Sequence, residues 1–151
     1  MQGSCLCGAV SFVLAGSLPP IYQCHCSLCR QVSGSSSNSA LIIERENFTW
    51  FSGEQHIKSY MTQTGFKSDF CVECGSPVPN LSADETRYWV PAGLLSEPVN
   101  SEVMAHVYVD SRANWDKGLL TDSIAKFAKM PSDEEWSTLC KHFHSHKNKT
   151  K

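Results

Sequence analysis

Cysteine is the residue type whose number and spacing in this sequence indicate chemistry. The 151 residues include eight cysteines, a high count for an intracellular protein and a low one for a disulfide scaffold. Seven of them form a C-x-C pair, a C-x-C-x-x-C triad and a C-x-x-C pair, which are Cys5 and Cys7, Cys24, Cys26 and Cys29, and Cys71 and Cys74. In a reducing compartment such clusters indicate metal binding or catalysis rather than disulfides.

The two outer pairs together supply four thiolates, which is the ligand set of a closed, tetrahedral zinc site. A C-x-x-C turn brings its two sulfurs to the required separation, and a C-x-C pair does the same from one face of a strand end. Gly8 and Gly75 directly follow the two pairs and allow the tight backbone that each turn needs. The spacing therefore predicts that Cys5, Cys7, Cys71 and Cys74 hold one structural zinc ion.

The middle triad, Cys24, Cys26 and Cys29, supplies three ligands, so its site is either open or closed by a residue from elsewhere. An open fourth position is typical of catalytic zinc. His56 or His106 could close the site, whereas His25 is disfavoured because it alternates away from its neighbours in an extended segment. An open zinc with three thiolates could hold an incoming thiol as a thiolate, which suits thiol chemistry with an electrophile better than hydrolysis.

The elements that position these cysteines read mainly as short strands. Residues 8–14 and 103–109 alternate between two faces, and turn residues recur at short intervals along the chain. Further strand candidates are residues 40–44, 48–51, 56–61, 78–81 and 88–92. This rhythm predicts an antiparallel all-β domain.

The C-terminal segment has the pattern of a helix. Ser132 and Glu135 form a capping box, and Trp136, Leu139 and Phe143 recur at helical spacing, so the helix would lay an apolar stripe on the sheet. We expect residues 142–151 to form a frayed tail. With no internal repeat and no linker, the chain is predicted to be a single zinc-binding domain over residues 1–151.

Three motifs resemble those of the glutathione-dependent formaldehyde-activating enzyme family, which includes centromere protein V. They are GSCLCGAV at residues 3–10, CHCSLCR at residues 24–30 and FCVECGS at residues 70–76; KFAKMP at residues 126–131 also resembles the C-terminal signature of the family. The resemblance implies a β-tent fold, in which two antiparallel sheets meet at an angle. It also implies a structural zinc on the outer pairs and a second zinc on the triad.

The same resemblance implies a carbon–sulfur lyase-like enzyme that handles adducts of glutathione with formaldehyde, with Cys24, Cys26 and Cys29 acting through the bound zinc. No substrate motif in the sequence singles out glutathione. Two alternatives stay open. One is a non-enzymatic zinc-binding structural or adaptor domain, and the other is a relative of methionine-R-sulfoxide reductases, which would need a nucleophilic cysteine outside the zinc sites.

The composition of the chain limits the classes of partner that it is expected to bind. The net charge is -2, which disfavours nucleic acid and anionic membranes as partners. No secretory signal and no apolar run of membrane-spanning length is visible, so we expect a cytoplasmic protein that acts on a small thiol. The sequence does not specify an oligomeric state.

A few other residues could contribute to function. Arg30 directly follows the triad and could meet a substrate carboxylate, although an exposed arginine is more commonly solvated. Lys67, Arg87 and Arg112 are weaker candidates for the same role. Cys140 lies on the apolar stripe of the C-terminal helix and is expected to pack as a small buried hydrophobe.

Overall fold

The computed structural model of the chain describes residues 1–118 and 124–147, and side chains up to residue 145. Two compact units divide the chain: the first contains Met1–Leu18 and Ser39–Asn100, and the second contains Pro19–Asn38 and Ser101–Lys151. Within the described residues the ordered elements are mostly strands, with two α-helices, one of them C-terminal. The predicted all-β fold with a C-terminal helix is confirmed, and the single-domain organisation stays a prediction.

The first unit consists of antiparallel strands. Its members are β1 (Gln2–Ser4), β2 (Ser11–Leu14), β4 (Asn38–Glu44), β5 (Phe48–Ser52), β6 (Ile57–Met61), β7 (Lys67–Cys71), β8 (Asn80–Leu81) and β9 (Arg87–Pro91). β2 lies between β1 and β5, β9 lies between β4 and β8, and β6 and β7 form a hairpin. The short turns between these strands are those that the sequence pattern indicates.

An aromatic cluster fills the core of the first unit. Phe12 and Phe48 are buried, with ring centroids 5.5 Å apart. Phe48 stacks on Tyr88 at 3.9 Å and meets Trp50 edge-on at 4.8 Å. The alternation in β2 accounts for part of this core, because Phe12 and Leu14 share its buried face.

The second unit contains β3 (Ile21–Cys24), α1 (Ser27–Ser33), β10 (Val103–Val107), β11 (Ala125–Phe127) and α2 (Asp133–Lys147). β10 pairs in parallel with both β3 and β11, so the prediction of antiparallel sheets is wrong for this unit. Parallel neighbours need a long connection, and the larger segment of the first unit, Ser39–Asn100, lies between β3 and β10 in the sequence. The spacing of turns in the sequence indicates only hairpins between consecutive strands, so it could not predict the parallel pairing of β10 with β3.

The C-terminal helix α2 follows its sequence pattern. The Ser132 backbone N–H donates to Glu135 Oε2 at 2.8 Å, and the Glu135 N–H donates to Ser132 Oγ at 3.3 Å, which confirms the capping box. Trp136 packs edge-on against Tyr22 of β3 at 5.5 Å, and Phe143 is fully buried. The helix extends to Lys147, so part of the segment expected to fray is helical. The remainder of that segment, residues 148–151, lies outside the described residues.

Candidate functional site

The first unit brings the two outer cysteine pairs together. The four sulfurs of Cys5, Cys7, Cys71 and Cys74 all lie within 4.8 Å of one another. Cys5 Sγ is 3.5 Å from Cys7 Sγ, which in turn is 3.9 Å from Cys71 Sγ. Neighbouring sulfurs around a tetrahedral zinc ion are separated by about 4 Å. The donor set and its dimensions therefore fit one metal ion.

Backbone turns, rather than a strand end, set the C-x-C spacing. β1 ends at Ser4, and the Gly8 N–H donates to the Cys5 carbonyl at 3.0 Å, which closes a tight turn around the pair. Gly8 has a φ of 77°, a left-handed conformation that favours glycine. On the opposite pair the Gly75 N–H donates to the Cys71 carbonyl at 2.8 Å, and Gly75 has a φ of 73°. The role predicted for the two glycines is thus confirmed, while the predicted strand-end geometry is wrong.

Local hydrogen bonds favour the thiolate form of two members of this cluster, Cys5 and Cys74. The Ser76 hydroxyl lies 3.3 Å from Cys74 Sγ and lowers the pKa of that thiol to about 6. The Val10 backbone N–H donates to Cys5 Sγ at 3.3 Å. Metal ligation requires deprotonated thiols, so these two contacts prepare the cluster for a cation.

The second unit brings Cys24, Cys26 and Cys29 together as a group of three. Their sulfurs lie within 4.8 Å of one another, and in the part of the chain that the structure describes no histidine or carboxylate joins the group. Cys24 ends β3, and Cys26 is the N-cap of α1, with its Sγ accepting a hydrogen bond from the Cys29 N–H at 3.4 Å. The C-x-x-C spacing is therefore formed by the first turn of a helix, an element that the sequence pattern did not predict.

The triad is electrostatically asymmetric. A hydrogen bond from the Cys29 side chain lowers the pKa of Cys24 to about 6, against the opposing effect of burial. The same contact, together with burial, raises the pKa of Cys29. Burial also raises the pKa of the neighbouring Tyr22 phenol, which therefore stays neutral at physiological pH. One thiolate in this group is thus available at neutral pH for a cation.

A buried pair of histidines lies beside the triad. His25 Nε2 is 3.0 Å from His106 Nδ1, and both side chains are almost fully buried. His25 Nδ1 lies 3.6 Å from Asp116 Oδ2. Both ring nitrogens of His25 thus face partners other than the triad sulfurs, in agreement with the argument that disfavoured it as a ligand. The pairing with His106 could not be read from the sequence because it depends on the parallel β3–β10 ladder.

We expect His106→Leu to lower the free energy of unfolding by about 1–3 kcal/mol, since His25 loses the partner of a buried ring nitrogen. Urea denaturation followed by circular dichroism measures this change. His142→Leu is the matched control, because His142 is exposed on α2 and we expect its replacement to change stability by less than about 0.5 kcal/mol. Equal stability of His106→Leu and the wild type would contradict a structural role for the histidine pair.

The other residues that the sequence analysis named as candidates lie in different parts of the structure. Lys67 Nζ lies 2.9 Å from the buried carboxylate of Asp69, and His56 Nδ1 lies 3.1 Å from the exposed Glu73. Both belong to the first unit, whereas the triad belongs to the second. Cys140 is half-buried on α2, and burial raises its pKa, as expected for a packed thiol.

Arg30 and Arg112 belong to the same unit as the triad. Arg30 lies in α1 one residue after Cys29, and Arg112 follows the turn that leaves β10. Arg87, the remaining candidate of this type, lies in β9 of the first unit.

An all-β chain with a four-sulfur and a three-sulfur cluster is the class of protein that these elements define, and each cluster could hold a metal ion. The chain belongs to the glutathione-dependent formaldehyde-activating enzyme family, whose model matches residues 1–111. The resemblance carried by the cysteine motifs is thereby confirmed.

The chain is also similar to two further proteins, one by sequence and one by structure. A protein of Halomonas elongata named "Putative glutathione-dependent formaldehyde-activating enzyme" is 30% identical over 82 residues, which cover 50% of this chain and 52% of that protein. The chain thus spans about half the length of this curated relative. A crystal structure of a Rhodobacter sphaeroides protein matches with a TM-score of 0.55 and 24% identity, covering 68% of this chain and 99% of that one. At this identity the likeness concerns the fold alone.

No α-helix in the described part of the chain is long and apolar enough to span a membrane.

Proposed function

We propose that this protein is a zinc-dependent carbon–sulfur lyase-like enzyme that handles adducts of glutathione, or a similar thiol, with a small aldehyde such as formaldehyde. The observation that carries the proposal is the difference between the two clusters. Four cysteine sulfurs meet in the first unit, whereas three meet in the second. Three protein ligands leave one coordination position for a substrate, which is the arrangement of catalytic zinc sites.

The donor chemistry supports zinc at both clusters. Thiolate sulfur suits zinc, and the redox-inactive ion accepts the tetrahedral arrangement that four cysteines provide. Cys5, Cys7, Cys71 and Cys74 would hold a structural ion, and Cys24, Cys26 and Cys29 a second one. When bound at the triad, zinc would supply a positive centre that favours the thiolate form of a thiol substrate at neutral pH.

The chain's own residues prepare this position. The Cys24 end of β3 and the N-cap of α1 fix the three sulfurs on regular elements, which position ligands more accurately than a loop does. In the forward reaction a bond forms between the thiol sulfur and the carbonyl carbon, and the thiol proton ends on the former carbonyl oxygen. The reverse reaction breaks that carbon–sulfur bond and returns the proton to sulfur.

The proposed setting follows from the same chemistry. All eight cysteines are free thiols, and exposed thiols such as Cys7 persist best in a reducing compartment. We therefore propose the cytoplasm as the location and a small thiol as the partner, in keeping with the chain's slight negative charge.

Exchange NMR tests the proposal directly, because the adduct of glutathione and formaldehyde also forms without an enzyme. The zinc-loaded protein should increase the rate of exchange between free and hydroxymethylated glutathione in proportion to protein concentration. The metal-free protein should leave the uncatalysed rate unchanged. A zinc-loaded, folded protein that does not accelerate the exchange would contradict the enzyme and favour the alternative of a zinc-binding structural or adaptor domain.

A further inference from the structure

One short turn of the second unit starts directly beside the triad. Val107 of β10 is the register partner of Cys24, and the His25 N–H donates to the Val107 carbonyl at 3.0 Å. The chain then leaves β10 through the 3-10 turn Val109–Ser111. Because β10 runs parallel to β3, this turn follows β10 at the same end of the ladder at which the triad follows β3.

Two arginines hydrogen-bond to this turn, one from an earlier element of the chain and one from the residue that directly follows the turn. Arg30 of α1 donates from Nη2 to the Ser111 carbonyl at 3.3 Å. Arg112 donates from Nη1 to the Val109 carbonyl at 3.1 Å. Two guanidinium groups thus donate to carbonyls of one three-residue turn, and one of them is carried by the helix that also carries Cys29.

The guanidinium of Arg30 retains donors that the protein does not use. A guanidinium has five N–H donors, and within the described residues the buried Nε of Arg30 has no hydrogen-bond partner. In that same part of the chain, none of the ion pairs involves Arg30 or Arg112. Arg45 of the first unit differs, because its Nη1 is 3.1 Å from Glu85 Oε2. The buried Nε is out of reach of a ligand, so the donors that an anion could use are those on the Nη atoms, whose contact with Ser111 is exposed.

We propose that Arg30, with Arg112 bound to the same turn, holds a carboxylate of the thiol substrate and thereby discriminates carboxylate-bearing thiols from thiols that lack the charge. This inference rests on the proposed function, since it takes the thiol to be bound at the triad. A planar guanidinium can bind a carboxylate through two parallel hydrogen bonds, which fixes orientation as well as charge. Arg30 adjoins Cys29 in the sequence, so the carboxylate and the sulfur of one small molecule would be held by the same helix. Arg30 is in this sense a specificity-determining residue for the thiol.

Isothermal titration calorimetry with two ligands tests the carboxylate site independently of turnover. The ligands are glutathione and its diethyl ester, which keeps the thiol but masks both carboxylates. Zinc-loaded wild type should bind glutathione about 10- to 100-fold more tightly than the ester, as expected for hydrogen bonds between charged groups. Arg30→Gln should reduce this preference at least about tenfold by weakening the binding of glutathione and not of the ester, and Arg30→Lys should retain an intermediate preference.

Arg45→Gln is the matched control, because Arg45 is an exposed residue of the first unit. This substitution should leave the preference for glutathione over its ester at the wild-type value. Zinc content and melting temperature, measured on each variant, should equal those of the wild type. Three results would overturn the carboxylate site. They are an unchanged preference for glutathione in Arg30→Gln, an equal loss of affinity for both ligands in that variant, and no binding of glutathione by the wild type. A selective loss in Arg30→Gln together with no catalysed exchange in the wild type would support the site and refute the enzyme.

Discussion

Replacing Cys26 by serine should abolish catalysed exchange of the glutathione–formaldehyde adduct while the protein remains folded. A bound metal contributes several kcal/mol to transition-state stabilisation, so we expect turnover to fall about a thousandfold or more. Cys26 is the N-cap of α1, and serine is a favourable N-cap residue. The substitution therefore removes a metal ligand and preserves the local structure. Exchange NMR measures turnover, and elemental analysis should show one zinc per chain in place of two.

Cys140→Ser is the matched control for this experiment, because it makes the same chemical change outside both clusters. Cys140 is half-buried on α2, so we expect a loss of stability of about 1 kcal/mol and wild-type zinc content and turnover. A folded Cys26→Ser protein with full activity would show that the triad does not carry the reaction.

Replacing Cys71 by serine should have the opposite pattern, with loss of the folded first unit. Cys71 is fully buried and lies in a core cluster with Cys5, Val10 and Val78. The free energy of binding a structural zinc is also folding free energy, so we expect the melting temperature to fall by roughly 10 °C or more. Thermal unfolding followed by circular dichroism measures this fall.

The two serine variants control each other. Cys26→Ser should keep a melting temperature within about 5 °C of the wild type, whereas Cys71→Ser should not. Addition of a chelator to the wild type should reproduce the effect of Cys71→Ser, since a closed structural site loses its stabilising ion. A Cys71→Ser protein that retains two zinc ions and the wild-type melting temperature would contradict a structural role for the outer cluster.

Much of the candidate site could be predicted from the sequence because metal ligation imposes spacing on neighbouring residues. The division of seven cysteines into sets of four and three appears unchanged in the sulfur groups of the structure. The left-handed conformations of Gly8 and Gly75 also follow from local turn geometry. These features depend on residues within a few positions of each other. The one further step is the assignment of the C-x-C pair and the distant C-x-x-C pair to a single four-ligand site.

The fold could be predicted to the level of class and of several strands for a similar reason. Alternation identified β2, and the capping box identified the start of α2. The strands β3 and β7 are absent from the sequence predictions, and each ends at a cysteine of a metal-binding motif. The alternation predicted for residues 103–109 ends early, because β10 stops at Val107 and Tyr108 adopts a left-handed conformation.

Other features depend on contacts between distant residues and left no local signal. The parallel pairing of β3 with β10 joins segments about eighty residues apart, and it determines the contact of His25 with His106. The attachment of Arg30 to Ser111 is of the same kind. The sequence placed Arg30 beside the triad, and only the packing shows which of its donors are used.

The most direct test of the central claim is a crystal structure of the zinc-loaded protein with glutathione. We expect a closed zinc on Cys5, Cys7, Cys71 and Cys74. At the second zinc we expect Cys24, Cys26 and Cys29 together with the glutathione sulfur, at about 2.3 Å from the ion. A fourth protein ligand at the triad, or glutathione bound elsewhere with its sulfur remote from these cysteines, would contradict the proposed function.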